Sequence, residues 1–213
     1  MTVEPLRPLE VSWLGRVGYV AALERQEKLV QAKANAPEAA DHLLLLEHEP
    51  VYTIGRTPDQ SSLRLAATLP HPVVKINRGG QATYHGPGQL VGYPIVDLRT
   101  RGQDLHAYLR SLEEVLILSL TALGVPAERR ESLTGVWVRG RKIASIGVGV
   151  RRWVSMHGFA LNVDRDLSAF QHITPCGIVG VEMTSVELET GEPMKLPEMG
   201  EIVTAKFRAV FGY

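Results

Sequence analysis

The sequence predicts an α/β protein of the α+β kind, a mixed or antiparallel sheet with flanking helices. Three observations lead there. Helical apolar periodicity is confined to three stretches. Short apolar runs bounded by turn residues lie between them. After residue 135 these runs follow one another closely enough to form a meander, which favours antiparallel pairing.

The first helix is expected over 18–35, where Tyr19, Ala22, Leu23, Leu29 and Val30 fall at helical spacing. Apolar runs at 43–48 and 73–77 predict two short strands, and 89–98 a third. The clearest helix follows, with Leu105, Tyr108, Leu109, Leu112, Leu116, Leu120 and Leu123 on one stripe. Asp104 is its candidate N-cap, and Gly124 with Pro126 marks its stop. The meander comprises 135–138, a turn at Arg139–Gly140, 142–150, a turn at Arg151–Arg152, and 153–163. A last strand is expected over 181–188 and a C-terminal helix over 198–211, with Met199, Ile202, Val203, Phe207 and Val210 on one face. No linker or repeat divides the 213 residues, so residues 1–213 read as one catalytic-sized domain.

Composition excludes several classes. Hydrophobic residues at 45% can build a core, so disorder is not the main state. Equal numbers of basic and acidic residues, 23 each, argue against a globally basic nucleic-acid binder. One cysteine makes neither an intramolecular disulfide nor a cysteine zinc cluster, and it fits a reducing compartment. Seven histidines without a close pair in sequence support no metal site. No apolar run is long enough for a bilayer, and the first 13 residues carry two acids and two prolines, unlike a signal peptide. A cytoplasmic location, with no membrane and no nucleic-acid partner, is the resulting expectation.

Three segments could carry chemistry. Residues 78–89, RGGQATYHGPGQ, hold four glycines with an arginine, an imidazole and several amides. That composition suits either a long turn or a loop presenting backbone N–H groups to a ligand, and not a core element. It lacks both the Gly-Lys-Ser/Thr ending of a phosphate loop and the dinucleotide fingerprint. Lys142 enters a strand of small apolar residues, either as a solvated edge residue or as a partly buried amine able to act as a base. Cys176 lies between Pro175 and Gly177, either as a small buried hydrophobe or as a turn-borne thiol able to attack a substrate. Arg139, Arg141, Lys142, Arg151 and Arg152 form an acid-free run, read as charged hairpin turns or as a docking face for an acidic partner.

RGGQATYHGPGQLVGYP, GRKIASIGV, HGFALNV and PCGI, in this order, resemble the octanoyltransferases of lipoate synthesis from about Leu43 to Val186. The resemblance implies the catalytic module shared with biotin and lipoate protein ligases. It implies transfer of an octanoyl group from acyl carrier protein to a lysine of lipoyl domains, those of 2-oxoacid dehydrogenase acyltransferases and the glycine cleavage H protein. No cofactor is implied. By position, the family's nucleophile falls on Cys176 and the lysine that lowers its pKa on Lys142. The acyl-binding segments fall on Arg78, Gly79, Gly80, Gln81, Ala82, Thr83, Tyr84 and His85, on Ser145, Ile146 and Gly147, and on Gly158, Phe159 and Ala160. Candidate oxyanion donors are the N–H groups of Gly147 and Gly177 and the His85 side chain. An ATP-dependent ligase of the same fold and a non-catalytic acyl-carrier binder are the competing readings. The first needs no thiol, and the second would tolerate loss of Cys176.

Overall fold

The computed structural model describes residues 8–63 and 68–213. The expectation for the extreme N-terminus therefore lies, for residues 1–7, outside the described residues. In chain order the elements are β1 (Leu9–Val17), α1 (Tyr19–Asn35), β2 (Asp41–His48), β3 (Val51–Ile54), β4 (Val73–Lys75), β5 (Thr83–His85), β6 (Gln89–Ile95), α2 (Leu105–Thr121), β7 (Ala127–Arg130), β8 (Leu133–Val138), β9 (Arg141–Arg151), β10 (Val154–Asn162), α3 (Val186–Thr190) and α4 (Leu196–Phe211).

Seven strands form one sheet in the order β1-β2-β6-β10-β9-β8-β7. Only the β1–β2 pair is parallel; β2–β6, β6–β10, β10–β9, β9–β8 and β8–β7 are antiparallel. A small sheet, β4-β3-β5, packs beside it, with β3–β4 parallel and β3–β5 antiparallel. The mixed sheet with flanking helices is the predicted class.

The four leucines 43–46 show why β2 is central. Leu43 and Leu45 face a core shared with Leu112 and Leu116 of α2 and Val203 and Phe207 of α4. Leu44 and Leu46 face the opposite layer with Ala22 of α1 and Tyr93 of β6. A strand buried on both faces is continuously apolar. The Asp104 side chain accepts hydrogen bonds from His106 N and Ala107 N, capping α2 as expected.

Four strands escaped the sequence reading: β1, β3, β5 and β7. In β7, A-E-R-R, only Ala127 packs on the core, so no apolar alternation announces it. The strand expected over 181–188 is not there. Met183 makes a single bridge to Lys142, and the chain then enters α3. Ser185 caps α3 by accepting from Leu188 N, and Glu187 and Glu189 favour its N-terminal turn, which outweighs the strand-like pattern. The second meander turn falls one residue later than expected, with Arg152 and Trp153 both at positive φ.

The basic run does not form one face. Arg139 lies in the turn before β9, Arg141 at the start of that strand and Arg151 at its end, roughly 33 Å from Arg141 at a strand's rise per residue. Arg139 and Arg141 are already paired with the buried Glu189 at 3.1 and 2.8 Å. No helix among the described residues is long and apolar enough to cross a membrane, and no group of three or more metal-ligating side chains occurs among them.

Candidate active site

The site begins with a strained turn. Pro175 opens it, and Cys176 and Gly177 follow at φ 56° and 71°. A non-glycine residue in this left-handed region costs about 1–3 kcal/mol and persists only where surrounding contacts hold it. Cys176 N donates to Ala82 O at 2.8 Å, tying the turn to the polar segment before β5. Gly177 N donates to Thr174 O at 2.9 Å, and Ile178 N to Pro175 O at 3.1 Å. The half-buried thiol lies 3.6 Å from Ser145 Oγ of β9.

Lys142 reaches the same place from the head of β9. Its backbone is clamped on one side: Lys142 N donates to Glu182 O and Thr184 N donates to Lys142 O. Its side chain is only 1% exposed. Nζ donates to Thr134 O at 2.8 Å and lies 4.9 Å from the Trp137 ring centre. Gly135, at φ 127°, lets this happen, because a Cβ there would come within 2.9 Å of Nζ. Lys142 pairs with no carboxylate among the described residues, which leaves its ammonium available to a thiolate or a substrate.

Cys176 and Lys142 line one cavity of about 370 Å³. The small sheet and its preceding loop contribute Arg78, Gly79, Gly80, Gln81, Thr83 and His85; the large sheet contributes Ser145, Ile146, Gly147, Gly158, Phe159 and Ala160. These are the acyl-binding candidates, with two exceptions. Ala82 and Tyr84 point away from the cavity, into a cluster with Tyr52 and Phe170. The pleat explains this, since alternate residues of β5 face opposite sides.

The polar segment is also more buried than its composition suggested. Arg78, Thr83, His85 and Gln89 are all less than a tenth exposed. They remain inside because they bond to one another. Arg78 donates to Thr53 Oγ1 at 3.0 Å, and Thr53 Oγ1 meets His85 Nε2 at 3.4 Å. His85 Nδ1 meets Gln89 Oε1 at 2.8 Å, while Gln89 Nε2 donates to Asn162 Oδ1 at 3.0 Å. Asn162 Nδ2 then donates to Thr184 O at 3.0 Å, beside the clamp on Lys142. This order assigns the His85 proton to Nδ1, because Gln89 Oε1 can only accept. His85 Nε2 is then a bare lone pair, so His85 is not an oxyanion donor. Gly177 is excluded as well, its N–H being spent on Thr174. Gly147 pairs with Gly158 across the β9–β10 ladder.

Other lining residues were not legible in sequence: Tyr19, Tyr93 and His157 inside, and Leu105, Leu109 and Leu133 on the remaining wall. His48 supports them, with Nε2 2.7 Å from Tyr93 Oη and its ring 5.7 Å from that of His85. Burial holds the imidazoles neutral, pulling His48 and His157 down to about 4 and His85 to about 3. Burial also lowers the Arg78 pKa, opposed by the nearby Tyr19 and Cys176.

A thiol on a strained turn, a buried amine and a cavity walled by glycines and apolar side chains suit acyl transfer. The family model described as the lipoyl protein ligase A/B catalytic domain matches residues 18–208. The chain is 53% identical over 194 residues to an octanoyltransferase of Geobacter sulfurreducens, covering 91% of this chain and 81% of that protein. It is 48% identical to an octanoyltransferase of Gloeobacter violaceus, covering 93% and 88%. Its fold is similar to a bipartite lipoate protein ligase of Thermoplasma acidophilum, with TM-score 0.68 and 16% identity over 97% of this chain and 85% of that one. A biotin protein ligase of Aquifex aeolicus is a more distant likeness, with TM-score 0.52 and 13% identity over 95% and 68%. The catalytic fold built around this cavity and the extent of sequence identity together show that the chain belongs to the lipoyl protein ligase A/B catalytic family, as an octanoyltransferase.

Proposed function

We propose that the chain transfers an octanoyl group from octanoyl-acyl carrier protein to a lysine of lipoyl domains, through a thioester on Cys176, with Lys142 moving the protons. The observation that carries this reading is that two residues distant in sequence line one cavity. Cys176 is held there on a strained turn, and Lys142 is buried with no carboxylate partner among the described residues.

The steps balance. The Cys176 thiolate attacks the thioester carbonyl, forming a carbon–sulfur bond and moving the π pair onto oxygen. Collapse of that intermediate breaks the bond to the carrier sulfur, which takes a proton from Lys142. The neutral amine of the acceptor lysine then attacks the acyl-enzyme, passes its excess proton to Lys142 and releases Cys176 as the thiolate, which restores the starting pair. Two steps through sulfur divide one transfer between large carriers. Burying the chain contributes about 0.8 kcal/mol per methylene. The whole chain acts as one catalytic domain in the cytoplasm, without a cofactor. Acceptors would be the lipoyl domains of 2-oxoacid dehydrogenase acyltransferases and the glycine cleavage H protein.

Intact mass after mixing with octanoyl-acyl carrier protein tests this. The wild-type protein should gain one octanoyl group without ATP, and Cys176→Ser should gain none, since a serine hydroxyl is far less acidic. Lys142→Arg should lose turnover, because guanidinium keeps its proton. Both variants should melt near the wild-type temperature. Acyl transfer that requires ATP and survives Cys176→Ser would point to ligase chemistry instead. Normal turnover in Lys142→Ala would remove Lys142 from the mechanism.

A further inference from the structure

Each tetrahedral intermediate carries an oxyanion that needs a preorganised donor. Around Cys176 the backbone donors of the thiol turn are occupied, and Lys142 Nζ is the group that moves protons. Cys176 N is bonded to Ala82 O and Gly177 N to Thr174 O. The Arg78 guanidinium spends three of its five N–H donors on Gly79 O, Thr53 O and Thr53 Oγ1, which fix its plane. His85 presents a lone pair, and Ser145 Oγ contacts the thiol itself.

One hydroxyl differs. Thr83 is 5% exposed, and its Oγ1 is buried without a hydrogen-bond partner among the described residues. More than nine in ten buried polar groups find a partner, so an idle hydroxyl in a cavity calls for a ligand atom. Alternation along β5 puts Thr83 and His85 on the cavity side and Tyr84 on the other. The strand also fixes Thr83 relative to the nucleophile. The residue before it, Ala82, accepts the Cys176 N–H, and Thr83 itself pairs with Thr53 of β3. The hydroxyl therefore sits on a rigid strand, one residue from the contact that holds the thiol turn, with its proton uncommitted.

We infer that Thr83 Oγ–H is a catalytic hydrogen-bond donor to the acyl carbonyl oxygen, strengthening as that oxygen becomes an oxyanion. This rests on the thioester route through Cys176. No proton moves at Thr83. Its hydroxyl donates a hydrogen bond while the carbon–sulfur bond forms and again while the acceptor amine attacks.

The test is Thr83→Val, which keeps the branched shape and removes the donor, with Thr83→Ser as the variant that restores it. Three readouts are taken: the rate of octanoyl transfer, the rate of Cys176 alkylation by iodoacetamide, and the melting temperature. Alkylation forms no oxyanion, so it reports the thiol alone. Thr83→Val should lower kcat by about 10²- to 10³-fold, the usual loss for one such donor, with little change in KM. Its alkylation rate and melting temperature should stay at wild-type values, and Thr83→Ser should recover most of kcat. A wild-type kcat in Thr83→Val would overturn the assignment. So would a parallel fall in transfer, alkylation and melting temperature, which would make Thr83 a support of the turn. Absence of an acyl adduct in the wild-type protein would overturn the thioester route itself, a separate failure seen before any Thr83 variant is made.

Discussion

At Gly158 a single methyl group has nowhere to go. A Cβ there would meet Gly92 O at 2.2 Å and Pro94 Cδ at 2.6 Å, so strand β6 itself blocks it. Gly79, which lines the cavity, is the opposite case: nothing among the described residues lies within 4 Å of its Cβ position. The two glycines share a candidate role in acyl binding, yet they should fail differently. Gly158→Ala should destabilise the fold by about 1–3 kcal/mol or more, through overpacking between backbones. Gly79→Leu should leave the melting temperature near wild type and lower octanoyl transfer, because the new side chain occupies acyl space. Thermal melts beside transfer kinetics separate the two. Equal unfolding of both variants would make 78–85 a structural connector and not a cavity wall.

Among the elements, the large sheet is tied at one end by a buried charge pair. Lys33, near the end of α1, pairs at 2.9 Å with Asp41 at the start of β2, and both side chains are 1% exposed. Asp41 also accepts from Asp97 N at 3.1 Å and from Tyr213 Oη at 2.6 Å. One carboxylate thus joins α1, β2, the segment after β6 and the end of the chain. Breaking such a pair strands the remaining charge in a dry site, which typically costs about 3–5 kcal/mol. Asp41→Asn should therefore lower stability by that order in denaturant titration. Exchanging Lys33 and Asp41 together for apolar residues should cost much less. If Asp41→Asn unfolds at the wild-type midpoint, the pair is not structural. Lys33, Asp41, Asp97 and Tyr213 are not among the residues that line the Cys176 cavity, so transfer at low temperature should persist in folded protein.

Across the whole molecule, three buried imidazoles make stability depend on pH. His48, His85 and His157 take protons only at about 4, 3 and 4, against an ordinary value of 6.5. The unfolded chain therefore binds more protons than the folded one once the pH drops below 6.5. Their contribution is fully present above pH 6.5 and is lost as the pH falls toward 4, at about 1.4 kcal/mol per pH unit for each residue. Melting temperature should hold steady from pH 8 to 7 and decline steeply from 6.5 to 4.5. A flat profile over that lower range would show that these rings meet water in the folded state.

The same contrast separates what was written locally from what was not. The three long helices, the apolar strands and the order of the motifs follow from short-range pattern, because periodicity and capping act within a few residues of sequence. Asp104 capping α2 and the two-sided burial of Leu43–Leu46 were legible for that reason. Family membership was legible too, since the motifs at Arg78, Lys142, Gly158 and Cys176 are contiguous strings. The strand over 181–188 was misread because a cap at Ser185 and the bridge from Met183 to Lys142 decide that segment. The basic run looked like a face only while distance along the chain stood in for distance in space. Tertiary structure alone decided which groups are free to act. Folding buried Lys142 with no carboxylate partner among the described residues, fixed the His85 proton through Gln89, and spent the Gly177 N–H within its own turn. It left the Thr83 hydroxyl idle in the cavity that the thiol lines. The physical reason is that hydrogen bonding and desolvation depend on neighbours tens of residues away, brought together only when the two sheets pack.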